Sequence, residues 1–267
     1  MALESPTQIA LIGASGRMGR AILDNLSRFS NLEIGAAVVM SGSEEQGRAL
    51  HVGGPLATSN LEVAIADCAV VIDFSSPESC LAAARVAAEH AKPFVSGTTG
   101  LSVQQQDELR ALSQETAILH AANFSVGVNV LERLVELASR AVGEEFDIEV
   151  FEAHHRRKVD APSGTALLLG HAAARGRDVV LDDVARWDRH GQVGARTNSE
   201  IGFQVLRGGD VVGEHTVFLC ADGERLELTH RATDRGIFAR GALRAAGWMV
   251  DKESGWFAMS DVLFGQV

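Results

Sequence analysis

Two histidines, three fixed cations and a small-residue turn fall within fifteen consecutive positions: Glu152-Ala153-His154-His155-Arg156-Arg157-Lys158-Val159-Asp160-Ala161-Pro162-Ser163-Gly164-Thr165-Ala166. Imidazoles exchange protons near neutral pH, and clustered cations attract anions. Ser163, just after Pro162, can cap a helix whose first backbone N–H groups then face a carboxylate or phosphate. These residue types suggest proton transfer to a small anionic substrate. A solvated basic face with a structural histidine pair fits the same residues. Metal ligation fits poorly, because adjacent histidines point apart on helix or strand and no cysteine lies nearby.

A second chemical signal stands near the amino end. The apolar run Ile9-Ala10-Leu11-Ile12 leads directly into Gly13-Ala14-Ser15-Gly16-Arg17-Met18-Gly19, and a helical pattern follows through Ala21, Ile22 and Leu26. A glycine turn between strand and helix is the context of a dinucleotide fingerprint. Gly13 would allow the tight turn, Gly16 the approach of a pyrophosphate, and Gly19 the close packing of helix on strand. The spacing is GxxGxxG rather than GxGxxG, and an ordinary strand-to-helix turn fits it too. At the end of the next strand, where an acidic residue would hold the adenosine ribose, stand Val39 and Met40. Ser41 and Ser43 offer hydroxyls there and Arg17 is the nearest cation, so NAD and NADP both remain open.

The elements that position these groups alternate. Strands are expected over 32–39, 69–74, 93–96 and 117–121, with helices over 61–67, 78–89 and 104–113 between them. That order implies a parallel, doubly wound, Rossmann-like sheet. The loops Ser75-Ser76-Pro77, Gly97-Thr98-Thr99-Gly100 and Ala122-Asn123-Phe124-Ser125 would lie at its carboxyl edge, where such sheets bind ligands. Beyond residue 126 an amphipathic helix is expected over 128–142, a half-solvated strand over 146–151 that delivers the basic cluster, and a helix over 165–174. Strands over 201–205, 211–220 and 225–229 suggest a second, α+β domain with a mainly antiparallel sheet. Some of them would be joined by the turns Gly208-Gly209-Asp210 and Ala221-Asp222-Gly223. A helix over 237–250 would pack back on the first domain. The expected division is 1–125, 126–235 and a returning tail at 236–267.

The chain carries 24 Lys+Arg against 35 Asp+Glu, a net charge of −11. The basic run is therefore a local anion site on an acidic protein, which argues against nucleic acid as a bulk partner. Cys68, Cys80 and Cys220 form no CxxC pair and are odd in number, which suits a reducing cytosol. Residues 1–8 show no signal-peptide pattern and no stretch is apolar enough for a membrane span, so a soluble cytoplasmic protein is expected.

Taken together, EAHHRRKVDAPSGTA, GASGRMGRAI, SGTTG and AANFSVGVNV, with IGFQVLRGGDVVGEHT and DKESGWF, resemble the 4-hydroxy-tetrahydrodipicolinate reductase (dihydrodipicolinate reductase) family of bacterial lysine biosynthesis. The resemblance runs from Ile9 to about Leu263. It implies reduction, by NADPH or NADH and with loss of water, of a small cyclic dicarboxylate, on a homotetramer built through the second domain's sheet. It implies His154 as acid/base and Lys158 as proton donor, with His155, Ser163, Gly164 and Thr165 at the substrate carboxylates. It implies Gly13, Ala14, Ser15, Gly16, Arg17 and Met18, Gly97, Thr98 and Thr99, and Ala121, Ala122, Asn123 and Phe124 along the cofactor, and no metal. The clustered cations are expected to depress the pKa of both His154 and Lys158, and a bound dicarboxylate to restore their protonated forms.

Two departures stand out. Many family members carry an acidic residue, often followed by arginine, where this chain has Val39 and Met40; a tilt to NADPH through Arg17 and the serines is the expectation. Thr197-Asn198-Ser199-Glu200 replaces a glycine-containing turn and reads as loop variation. The rival functions are a dehydrogenase for another small imine or oxo acid on the same scaffold, and a non-catalytic nicotinamide sensor. Neither requires Lys158 beside Ser163-Gly164-Thr165.

Overall fold

Uninterrupted apolar runs bounded by glycine or polar turns make short buried strands, and the chain opens with several. The computed structural model describes residues 5–265 and divides into two units, one up to Val126 and again from Gly236, the other Gly127–Arg235. In the first, β1 (Thr7–Ile12), α1 (Arg17–Asn25), β2 (Leu32–Val38), α2 (Leu61–Ala66), β3 (Val70–Asp73), α3 (Pro77–Glu89), β4 (Phe94–Ser96), α4 (Val103–Leu112) and β5 (Ala117–His120) alternate strictly. The strands pair in parallel in the order β5-β4-β3-β1-β2. Both faces are apolar: Ile9, Leu11, Ile72 and Leu119 enter one core, and Ala10, Ile12, Val71 and Ile118 the other. Alternation of strand side chains explains the division. Side-chain caps start the helices where expected, Ser76 accepting from Ser79 N–H and Ser102 from Gln105 N–H.

The second unit contains α5 (Val126–Val142), which begins at the boundary, then β6 (Asp147–His154), α6 (Gly164–Gly176), α7 (Leu181–Val184), β7 (Ala185–Arg186), β8 (Ile201–Arg207), β9 (Gly213–Ala221) and β10 (Glu224–Ala232). Its sheet, in the order β10-β9-β6-β8-β7, is mixed rather than mainly antiparallel. β9 runs antiparallel to β6 and β10, whereas β6–β8 and β7–β8 are parallel. The reason is that α6 and α7 carry the chain back before β7, and residues 187–200 carry it back again before β8, so that both strands run with β6. Alternation within a strand does not encode the direction of its neighbour. Asp222-Gly223 closes a hairpin, since Ala221 pairs with Glu224. The turn at Gly208-Gly209-Asp210 does not, because β8 and β9 flank β6 on opposite sides.

The tail returns to the first unit. Helix α8 (Gly236–Met249) buries Ala239, Ala242, Leu243, Ala246 and Met249 against the core that holds Ile9 and Leu119. Strand β11 (Gly255–Phe257) then adds in parallel beside β5, and α9 (Met259–Phe264) follows. A three-residue strand is too short for its pattern to be read locally. No helix among the described residues is long and apolar enough to cross a membrane.

Candidate active site

At the carboxyl edge of the first sheet the register places Ile12, Asp73, Ser96 and His120 in one row. The nominated loops follow these residues directly. Gly13 has φ +76°, and a Cβ there would stand 2.3 Å from the Phe74 carbonyl oxygen. Only glycine closes this turn. A Cβ on Gly19 would meet the Gly13 oxygen at 2.4 Å, which shows how tightly α1 sits on the turn. Gly16 is the exposed N-cap of α1, with no side-chain cap and no acidic residue in the first turn. The amino end of a nine-residue helix thus faces outward beside the exposed Arg17, an arrangement that favours pyrophosphate. Ala14 is buried and donates its N–H to Val38 O at 3.0 Å, while Ser15 and Met18 are half-buried.

Asp73, which the sequence reading did not nominate, organises this edge. It is fully buried and accepts hydrogen bonds from the hydroxyls of Ser75 at 2.5 Å, Ser96 at 2.8 Å and Thr98 at 2.7 Å. Thr98 Oγ1 also accepts from Ser75 N–H at 2.9 Å, and the His120 ring meets Thr98 O at 2.9 Å. One carboxylate therefore ties the loop after β3 to the loop after β4. Gly97 lies under the Phe74 ring, and Phe74 meets Phe124 edge-on with centroids 5.5 Å apart. Thr98 and Phe124 are buried; Thr99 and Ala122 are exposed, and Ala121 and Asn123 half-buried, along the same edge. At the end of β2, Val39 is buried and Met40 is 79% exposed, so no carboxylate occupies the ribose position. The glycine cradle, the open helix end and the small loops fit a dinucleotide cofactor.

The second unit builds its site on one face of β6. Ile148, Val150, Glu152 and His154 alternate onto the same side as the buried core, so the apolar series ends in a carboxylate and an imidazole. Register then brings in the neighbours: Arg207 of β8 lies opposite His154, and His215 of β9 opposite Glu152. Glu152 is 0% exposed. Its Oε2 accepts from His154 Nδ1 at 2.5 Å and Arg207 at 2.8 Å, and its Oε1 from Arg207 at 2.8 Å and Ser163 N–H at 2.9 Å. Burial pushes this carboxyl's pKa up, but the donors from Arg207, His154 and Ser163 outweigh it and hold it below the usual value. A buried charge so paired stays ionised.

His154 titrates below the ordinary histidine value, chiefly because burial disfavours its charged form. Glu152 opposes the shift, and Lys158 and Arg207 add to it. The expected depression by nearby cations is present, but desolvation leads it. Lys158 Nζ pairs with Asp160 at 2.8 Å, and Arg156 and Arg157 are exposed. His155 Nε2 receives a long contact of 3.5 Å from Arg235.

Ser163 caps α6 by accepting Ala166 N–H at 3.2 Å, and the same hydroxyl lies 3.0 Å from His215 Nε2. Helix α6 has no acidic residue in its first turn. Gly164 is exposed with open space where a Cβ would stand, and Thr165 follows half-buried. The structure therefore gathers His154, Lys158, Ser163 and the amino end of α6 around Glu152 and Arg207. Glu152, Arg207 and His215 were missed by sequence reasoning. Glu152 carried a local signal, two positions before His154 on a strand, whereas Arg207 and His215 required the register of three strands.

The family profile described as "Dihydrodipicolinate reductase, N-terminus" matches residues 7–124, and the one described as "Dihydrodipicolinate reductase, C-terminus" matches residues 127–263. The chain belongs to the dihydrodipicolinate reductase family. The 4-hydroxy-tetrahydrodipicolinate reductase of Saccharophagus degradans is 45% identical over 263 residues, 96% of this chain and 98% of that one. That of Halorhodospira halophila is 45% identical over 262 residues, with 96% and 98% covered. Among solved structures, a dipicolinate-bound dihydrodipicolinate reductase from Paenisporosarcina sp. TG-14 shares the fold with a TM-score of 0.76 at 21% identity, covering 95% of this chain and 97% of that one. The family's amino-terminal domain is a nucleotide-binding, Rossmann-like domain, and the family is one of NAD(P)H-dependent oxidoreductases.

Proposed function

We infer that His154 and Lys158 supply the proton in the reduction of 4-hydroxy-tetrahydrodipicolinate to 2,3,4,5-tetrahydrodipicolinate, and that the amino end of α6 holds a substrate carboxylate. The overall change consumes one hydride and one proton and releases water, in the diaminopimelate route to lysine. A reduced nicotinamide, NADH or NADPH, held by the Gly13 to Met18 turn and the Asp73-tied loops, supplies the hydride when bound. The remaining work falls to this chain's residues. Charge that develops on the substrate nitrogen is neutralised by the Lys158 ammonium and the His154 imidazolium. The Gly164 and Thr165 N–H groups, with Ser163 and His155, receive carboxylate oxygens. A bound dicarboxylate raises the affinity of His154 for a proton, opposing the desolvation that lowers it, so the substrate charges its own acid.

The observation that carries this reading is the Glu152 carboxylate, which bonds His154 at 2.5 Å and the cap residue of α6 at 2.9 Å. It gathers a proton-exchanging group and an anion-binding helix end at one point. A cytoplasmic homotetramer without nucleic-acid or membrane partners completes the reading. The net charge of −11 and the exposed apolar residues Trp187, Val205, Leu206 and Leu226 of the second unit support it. Sedimentation of the purified chain measures that state, and a monomer would remove the assembly from the reading.

The test is loss of absorbance of NADPH and of NADH with substrate generated freshly by a coupled aldolase. His154→Ala and Lys158→Ala are each expected to lower kcat by about 10²-fold or more, with cofactor affinity little changed. Turnover left intact in both variants would overturn the roles. Absence of oxidation in the parent chain, with cofactor bound, would overturn the reaction.

A further inference from the structure

The two groups assigned to proton transfer and carboxylate capture are held by different elements, a strand end and a helix cap. Their relative placement needs a common anchor, and among the described residues the buried carboxylate that touches both is Glu152. We propose that Glu152 is the positioning residue of this site, fixing the tautomer of His154 and the amino end of α6 to one carboxylate. The proposal rests on the acid/base reading of His154 above.

The chemistry of the contacts is restrictive. An ionised carboxylate only accepts hydrogen bonds, so the bond of 2.5 Å from His154 requires a proton on Nδ1. Proton exchange with substrate is therefore left to Nε2. That atom faces Gly213, where an added Cβ would stand 3.1 Å away, so the absence of a side chain there leaves it room. Arg207 extends the anchor. Its guanidinium bonds both Glu152 oxygens and donates at 2.7 Å to Asp160 O, and the Asp160 carboxylate in turn pairs with Lys158 at 2.8 Å. His154, Lys158 and the cap at Ser163 thus share one network centred on the buried Glu152 carboxylate. A buried ion pair adds little net stability over apolar packing, whereas an orienting carboxylate beside an acid/base histidine acts on its tautomer and proton affinity.

The charged and titratable groups facing His154 are Glu152 on its own strand, Lys158 on the following loop, Arg207 on β8 and His215 on β9, whose ring centroid lies 5.1 Å away. Glu152 raises the proton affinity of His154 and Arg207 lowers it. Removing them should therefore move the pH dependence of kcat in opposite directions. Glu152→Gln should shift the loss of activity with rising pH to lower pH, and Arg207→Gln should shift it to higher pH.

The experiment uses the full chain labelled with ¹⁵N-histidine, the His154 signals being assigned by their disappearance in His154→Ala. The parent should show a protonated Nδ1 and an unprotonated Nε2 in the neutral ring. Glu152→Gln, whose amide can donate to Nδ1, should move the proton toward Nε2 and lower kcat on the order of 10²-fold, with NADH binding unchanged as the control for folding. An unaltered nitrogen pattern and pH profile in Glu152→Gln, with His154→Ala inactive, would overturn the proposal while leaving the acid/base reading standing. Full activity of His154→Ala would instead overturn that reading, and the proposal with it. If Glu152→Gln fails to fold, Arg207→Gln decides: an upward shift supports the anchor and an unmoved profile overturns it.

Discussion

Ser163 Oγ lies 3.0 Å from His215 Nε2 while it accepts Ala166 N–H at 3.2 Å, so the cap of α6 and strand β9 meet at a single hydroxyl. His215 is buried, and burial first, then the nearby His154, pushes its pKa down from 6.5 to about 3. The ring therefore stays neutral well below the ordinary histidine range.

That displacement makes a statement about stability. The unfolded chain accepts a proton near pH 6.5 that folded His215 refuses until about pH 3. The stability contributed by this group is complete above about 6.5 and is lost progressively as the pH falls. Tm should therefore drop as the pH is lowered from about 7 to about 5. His215→Gln, which can still reach Ser163 and does not titrate, should flatten the slope in part, because the depressed His154 and His230 act in the same direction. Equal slopes in the two proteins would contradict this assignment.

Gly164 opens α6 with nothing near its Cβ position and no acidic residue in the first turn. Gly164→Asp should favour the helix dipole, leaving Tm unchanged or slightly higher. The same charge repels a substrate carboxylate, so KM and the dipicolinate dissociation constant should rise about tenfold or more, roughly 1.4 kcal/mol. Melting curves beside dipicolinate titrations separate the two effects. Unweakened binding would remove the helix end from the carboxylate site.

Asp73→Asn places an amide where three hydroxyls now donate. Donor would face donor, and the loops after β3 and β4 would lose their common anchor. The NADH dissociation constant should rise about tenfold, with a stability loss of roughly 1–3 kcal/mol. Fluorescence titration with NADH and chemical denaturation measure these, and an unchanged NADH affinity would assign Asp73 to folding alone.

Arg17 is exposed at the cofactor turn, and Val39 and Met40 offer the adenosine ribose no carboxylate. Arg17→Ala should raise the dissociation constant for NADPH about fivefold and leave NADH nearly unaffected, since only the former carries a 2′-phosphate for the cation to meet. A parent chain that strongly prefers NADH would contradict the tilt.

The first unit was largely legible in the sequence because its signals are local. A buried parallel strand is a run of apolar residues, and the glycine turn between β1 and α1 is dictated by backbone geometry at Gly13. The Ser163 cap of α6 was likewise readable, since a helix cap involves residues only three apart. The basic run also drew attention to Glu152 through its neighbours, but its own role was not apparent there.

Direction, register and burial belonged to the tertiary structure. Only the pairing of β6 with β8 and β9 brings Arg207 and His215 to Glu152 and His154, and only the returning tail reveals β11 beside β5. The depressed proton affinity of His154 is decided the same way. The sequence displays its cationic neighbours, but the larger cause is the water removed from around it. Local propensity is written in spacing along the chain, whereas desolvation and register arise from elements far apart in sequence, and these were set by the fold.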